Sequence, residues 1–216
     1  GCSEMMGVEL MVNFKAPYFA LSMRDFWKRW HISLTSWFRE YVYFPLGGSR
    51  RGFARTLRNT LIVFALSGLW HGASWTFVAW GLLHALYLCA ELIWNRLRRN
   101  APKAPGPCCK ALLLLKTFVL ACIAWTFFRA DTMADALAVL GAAFAGLRHP
   151  LTWMQDAWHL LTAGGTLTAA ITVFSVLVLL LGDLLDEKND AMAAVGRLRP
   201  AARDALYVVF LLGILL

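Results

Sequence analysis

One histidine, His71, is the side chain best placed to do chemistry in this sequence. His71 lies in the run GLWHGAS, Gly68 to Ser74, inside an otherwise apolar stretch. An ionisable side chain there costs a few kcal/mol to insert into a bilayer, which makes it a candidate functional residue. Apolar surroundings disfavour the imidazolium, and a neutral imidazole can take a proton from a hydroxyl, the task of a general base. Gly68 and Gly72 permit close backbone approach, and Trp70 and Trp75 are expected to wall a narrow cavity around the ring. The same residue could instead be structural, hydrogen-bonded to a neighbouring helix, and the residues alone leave both readings open.

His31, in RDFWKRWHISL, sits at the edge of an amphipathic pattern, where a histidine is either simply solvated or, less commonly, chemical. His84, in WGLLHAL, reads as an interhelical hydrogen-bonding residue, and His149 and His159 as residues without a chemical role. The five cysteines, Cys2, Cys89, Cys108, Cys109 and Cys122, contain no pair with two-residue separation, so no metal site is expected. Cys89 and Cys122 read as small core residues. The vicinal Cys108 and Cys109 are either plain thiols or acylation sites. YFPLGGSRRG, Tyr43 to Gly52, lacks the order of a nucleotide-binding P-loop. It is either a positive-inside anchor or a turn that contacts an anionic donor or lipid headgroup. No G-x-S-x-G elbow occurs, which argues against a serine hydrolase.

The elements that must position these residues belong to a membrane protein. The chain has 216 residues, 59% of them hydrophobic and 16% charged, against roughly 25% charged in soluble domains. The net charge of +8 punctuates apolar runs, which fits topology-setting cations and not nucleic-acid binding. No removable signal opens the sequence, and both ends look cut.

From Ser22 to Tyr41, Trp27, Trp30, Leu34, Trp37, Phe38 and Tyr41 recur at helical spacing opposite Asp25, Lys28, Arg29, Ser33, Ser36 and Glu40. The pattern predicts one interfacial helix, opened by a Ser22/Asp25 capping box and ended by Pro45, Gly47 and Gly48. Nine basic residues against two acids between Lys15 and Arg58, a net of +7, place residues 15–58 on the cytoplasmic side.

Residues 59–95 carry one acid, Glu91, and no Lys or Arg, with cations on both flanks. They are expected to turn back within the membrane near Gly68 to Ser74. Irregular backbone at that depth is tolerated only inside protein or beside a polar cavity. A loop over 101–110 and spans over 111–128, 166–185 and 205–216 follow. Thr132 and Asp135 predict a second capping box opening a helix to about Leu147, on an external side holding only two basic residues from Arg129 to Gly165. A charged loop follows over 186–203. The fold class is all-α: a polytopic transmembrane helical bundle with interfacial amphipathic helices and a broken or re-entrant helix carrying His71. All of residues 1–216 form part of one domain.

DFWKRWHISLTSWFREYVYFPLGGSRRG from Asp25 to Gly52, then Asn59, then GLWHGASWTFVAWGLLHAL from Gly68 to Leu86, resemble the membrane-bound O-acyltransferase family. The similarity is to its bacterial branch, which includes the alginate O-acetyltransferase membrane subunit and the teichoic-acid D-alanyl transferase. WTFFRADTMADAL, Trp125 to Leu137, resembles the same branch. The resemblance covers about the C-terminal half of a typical member. It implies that His71 is the catalytic histidine within the membrane, as base or transient acyl carrier, and His31 a second functional histidine near the cytoplasmic face.

The resemblance further implies transfer of an acyl group, most simply acetyl, from a cytoplasmic thioester to a hydroxyl of an extracytoplasmic polysaccharide or to a periplasmic acetyltransferase partner. The donor would be acetyl-CoA or an acyl carrier protein, with no tightly bound cofactor and no metal. The location would be the bacterial inner membrane, multi-pass, and these 216 residues alone are expected to be inactive. A competing expectation is a non-catalytic scaffold or transporter-like subunit, since a broken helix with a midplane histidine also suits a transport pathway.

Overall fold

The computed structural model describes residues 6–8, 10–98 and 106–189. Every regular element among them is helical: α1 (Met23–Arg29), α2 (Ile32–Phe38), α3 (Phe53–His71), α4 (Trp75–Leu97), α5 (Pro107–Arg129), α6 (Met133–Gly146), α7 (Pro150–Thr162) and α8 (Thr166–Asn189). A 3-10 turn over Pro17–Phe19 precedes α1, and a π-helical turn over Arg39–Tyr43 extends α2. Among the described residues, α4, α5 and Thr166–Leu184 of α8 are long and apolar enough to cross a membrane. The span expected at 205–216 lies outside the described residues, as does most of the loop expected over 186–203. The chain divides into two compact units, residues 1–142 and 143–216.

The first unit is built on α3 and α4, an antiparallel hairpin whose connection is only residues 72–74. Glycine makes the close approach possible. A Cβ on Gly81 would run into the carbonyl oxygen of Phe64, and one on Gly68 into that of Phe77. At the open end of the hairpin the Arg96 guanidinium lies 4.4 Å from the Phe53 ring centroid. Both cation-bearing flanks therefore share one side, as the sequence predicts. From Asn59, where the basic flank ends, to His71 is about 18 Å of helix axis. That is less than the roughly 30 Å hydrocarbon thickness.

Large aromatic side chains from α1 fill the space between the hairpin and α5. Met23, Phe26 and Trp27 are buried with Trp80 of α4 and with Ala121, Ala124 and Phe127 of α5. The small residues at 121 and 124 let α5 approach the bulky rings, a large-against-small match that keeps packing dense. Cys122, expected in the core, faces outward because it lies one helical step, about 100°, from Ala121. Cys89 is buried as expected. The 101–110 loop is shorter than expected: Pro107 serves as a first-turn residue and α5 begins there.

Both expected N-caps form. Ser22 Oγ accepts from Asp25 N at 3.1 Å, while Asp25 Oδ2 accepts from Leu21 N at 3.2 Å. Thr132 Oγ1 accepts from Asp135 N at 3.1 Å and donates to Asp135 Oδ2 at 2.7 Å, opening α6. The single helix expected over 22–41 is instead two helices, broken at His31. Its backbone takes φ 44° and ψ 56°, in the left-handed region. The incoming segment supplies the competing bonds: Asn13 O accepts from Ile32 N at 3.0 Å, and Asn13 Oδ1 accepts from Ser33 N at 2.9 Å and Ser33 Oγ at 2.6 Å. Lys15 N donates to Arg29 O at 3.0 Å on the other side of the break.

In the second unit α7 and α8 meet through a turn at Gly165, whose φ of 99° favours glycine. Trp158 and Leu161 of α7 and Ala169, Val173 and Phe174 of α8 line an apolar groove. The span expected from Thr166 continues as helix to Asn189, because Leu, Glu and Lys in DLLDEKN are good helix formers.

Candidate active site

His71 is the last residue of α3, at the hairpin tip, where the helix leaves its final carbonyls without intrahelical donors. Its ring stands edge-on to Trp80 (centroids 5.1 Å apart, planes at 88°) and to Phe128 (5.0 Å, 80°), with Trp70 at 4.8 Å and Phe77 at 6.2 Å. The aromatic seat fixes the imidazole while leaving it half-buried. Among the described residues nothing hydrogen-bonds to it, so both ring nitrogens are free to engage a substrate.

Trp70 and Trp75, expected to wall this site, are 59% and 78% exposed. Trp70 touches the histidine from outside and Trp75 points away. Trp75 opens α4, and Trp80, five residues on, is turned about 140° around the helix. The wall therefore comes from Trp70, as expected, together with Trp80 and Phe128, and not from Trp75. Trp80 and His84 are four residues apart, and Trp125 and Phe128 three apart, spacings that place each pair on one helix face. That periodicity was available in the sequence, but the partnership across α4 and α5 was not.

His31 bridges α1 and α2. Its Nδ1 is buried without a hydrogen-bond partner, and Phe14 lies 6.0 Å from its ring. Among the described residues no hydrogen bond or ring contact joins His31 to His71, and His31 acts on it only through longer-range electrostatics. His84 is wholly buried, and its Nδ1 accepts from Trp27 Nε1 at 3.3 Å, joining α1 to α4 as expected of an interhelical residue. His149 and His159 are exposed and belong to the second unit.

A cavity of about 330 Å³ opens toward the basic end of the hairpin, lined by Arg24, Arg39, Tyr43, Thr60, Phe64 and Glu91, among others. Glu91 Oε2 accepts from Arg24 N at 3.3 Å. Beside it, the glycine turn of YFPLGGSRRG is clamped by the fully buried Asn59. The Nδ2 of Asn59 donates to Leu46 O (3.2 Å) and Gly48 O (3.0 Å), and its Oδ1 accepts from Arg58 Nη2 (3.0 Å). This turn is thus tied to α3 by side-chain bonds that no local spacing announces. Phe64 forms the inner wall of the cavity and contacts both Trp27 (5.0 Å) and His84 (6.2 Å). Phe64, His84, Trp80 and His71 therefore succeed one another from cavity to hairpin tip.

A family model described as membrane-bound O-acyltransferase matches residues 6–130, a stretch that contains both histidines, the cavity and the aromatic seat. The chain belongs to the membrane-bound O-acyltransferase family. It is similar to a peptidoglycan O-acetyltransferase of Helicobacter pylori, with 42% identity over 140 residues, 65% of this chain and 26% of that protein. It is 41% identical over 145 residues to the probable alginate O-acetylase AlgI of Pseudomonas putida, 67% of this chain and 29% of that protein. A teichoic acid D-alanyltransferase of Streptococcus thermophilus is 33% identical over 108 residues, 47% of this chain and 26% of that protein. The chain thus spans less than a third of the length of these curated relatives.

Proposed function

We propose that this chain is the part of a multi-pass bacterial inner-membrane O-acyltransferase that holds its reacting centre, with His71 as general base and His31 as its orienting or relaying partner. The observation that carries this reading is the setting of His71: an unbonded imidazole at the tip of an apolar helical hairpin, seated between Trp80 and Phe128. The donor is a thioester entering from the basic side, where Arg24 and Arg39 line the cavity and suit an anionic carrier such as coenzyme A or an acyl carrier protein. The acyl group is acetyl, and the acceptor is a hydroxyl of an extracytoplasmic polysaccharide or of a periplasmic partner transferase. The relatives named for O-acetyl transfer support that choice.

His71 takes the proton of the acceptor hydroxyl as its oxygen attacks the thioester carbonyl carbon. The carbonyl re-forms, the C–S bond breaks, and the departing thiolate takes up a proton. Apolar surroundings exclude water, which would otherwise hydrolyse the thioester.

The test is transfer from radiolabelled acetyl-CoA in membranes carrying the full-length parent protein, wild type beside His71→Ala. Removing a general base is expected to lower the rate by about 10²- to 10⁴-fold at normal protein abundance. Wild-type transfer by His71→Ala would eliminate the catalytic assignment and favour a non-catalytic membrane scaffold.

A further inference from the structure

Between the basic-side cavity and His71, three buried ring nitrogens have no hydrogen-bond partner: Trp80 Nε1, His84 Nε2 and Trp125 Nε1. The three rings are mutual neighbours, with centroids 5.1 Å apart for Trp80 and His84, 6.1 Å for Trp80 and Trp125, and 6.4 Å for His84 and Trp125. All three nitrogens are donors. An indole nitrogen only donates. The His84 ring is fixed by its other nitrogen: Nδ1 accepts from Trp27 Nε1, so Nδ1 carries no hydrogen and the neutral ring bears its proton on Nε2.

Leaving a buried polar group unpaired costs about 1–3 kcal/mol. Two of these side chains are almost entirely enclosed, Trp80 at 2% and His84 at 0% exposure. Other buried polar side chains of the same helices are satisfied. Thr76 meets Ser74 at 2.9 Å, Thr117 donates to Leu113 O at 2.9 Å, and Asn59 makes the bonds described above. Apart from His31 Nδ1 at the α1–α2 break, the unpaired buried side-chain nitrogens among the described residues fall in this one cluster, and the three here are all donors. Donors without an acceptor fit an oxygen that carries, or develops, negative charge. Trp125 as a residue is only half-buried, although its Nε1 is itself enclosed.

We infer that the N–H groups of Trp80, Trp125 and His84 bind the carbonyl oxygen of the acyl thioester and hold the oxyanion that forms there during transfer. The inference rests on the acyl-transfer reading and adds the groups that receive the displaced electron pair. When the hydroxyl oxygen bonds to the carbonyl carbon and its proton passes to His71, the C=O π pair moves onto the oxygen. The donors stabilise that charge until the pair returns and the C–S bond breaks. Trp80 is adjacent to both groups of the reaction, contacting the His71 ring at 5.1 Å and the His84 ring at the same separation. Preorganised donors in a water-poor site act most strongly on charge that appears only in the transition state.

The experiment uses the full-length parent with 3-benzothienylalanine incorporated at position 80 or 125, which replaces the indole N–H by sulfur and keeps the ring system. Trp80→Phe and Trp125→Phe serve as parallel variants, and [14C]acetyl-CoA is the donor. Each N–H deletion is expected to lower kcat about a hundredfold, with KM and protein abundance near wild type. An undiminished kcat in both benzothienylalanine proteins, with transfer abolished in His71→Ala, would overturn the oxyanion site alone. Changes confined to thermal stability would do the same, by making the donors structural. Full transfer in His71→Ala would overturn the acyl-transfer reading and this site with it.

Discussion

Both candidate histidines sit where a helix stops, but the two stops are held by different physics. The α3–α4 hairpin delivers His71 through backbone contact: Gly68 and Gly81 let the helices meet so closely that no Cβ fits, and a three-residue turn closes the end. The α1–α2 break delivers His31 through hydrogen bonds, with Asn13 and Lys15 of an extended segment taking over groups that a continuous helix would have bonded internally. Packing against a backbone carbonyl is unforgiving, because nothing can rotate out of the way. A polar clamp is graded and can lose one bond at a time. His71 is thus the more rigidly placed of the two candidates, and His31 the more adjustable one.

The comparison breaks most easily at the hairpin. Gly81→Ala in the full-length protein should force α4 away from Phe64, destabilise the fold by about 3 kcal/mol and remove transfer together with folded protein. Detergent thermal unfolding beside the transfer assay reads both, and a wild-type melting temperature would show that the helices can separate without cost. A smaller loss is expected for Asn13→Ala, which strips the acceptor from Ser33 N and Oγ. About 1–2 kcal/mol should be lost, and transfer should weaken while His71 stays in place. Equal loss of activity in Asn13→Ala and Gly81→Ala at equal folded protein would erase the distinction between the two supports. The smallest stability effect should come from His31→Gly. A non-glycine residue in the left-handed region costs about 1–2 kcal/mol, and glycine's own backbone entropy offsets part of the relief. The melting temperature should hold or rise slightly while transfer falls. A fall in melting temperature without a fall in transfer would make His31 a structural bridge.

Burial also separates the two units. The apolar window of α4 is 33% buried within the chain, against 6% for that of α8. The helix that carries Trp80 and His84 thus has one face covered by α1, α3 and α5, whereas α8 presents nearly all of its apolar surface outward. Substitutions along α4 are accordingly the ones whose effects this chain's own packing determines.

Much was legible in the sequence because it is written locally. Apolar runs with flanking cations announce membrane helices, S-x-x-D and T-x-x-D spacings announce two N-caps, and a histidine in a glycine-broken apolar run announces a turn in the membrane. Each depends on residues within a few positions of one another, where the chain's own geometry fixes the outcome. Sequence alone read 22–41 as one helix, because its periodicity is continuous through His31. Only the docking of Asn13, nearly twenty residues upstream, broke it. The same holds for the wall of the site. Trp70 does stand against His71, but Trp75 does not: the rotation of α4 after the turn brings Trp80 to His71, and α5 brings Phe128. Composition and local spacing determined that this is a helical membrane protein with His71 as its chemical candidate, and resemblance to a family added His31. Which rings surround them and which nitrogens are left unpaired were decided by the tertiary structure, because contacts between separate helices depend on how each is rotated and how closely glycine and alanine let them approach.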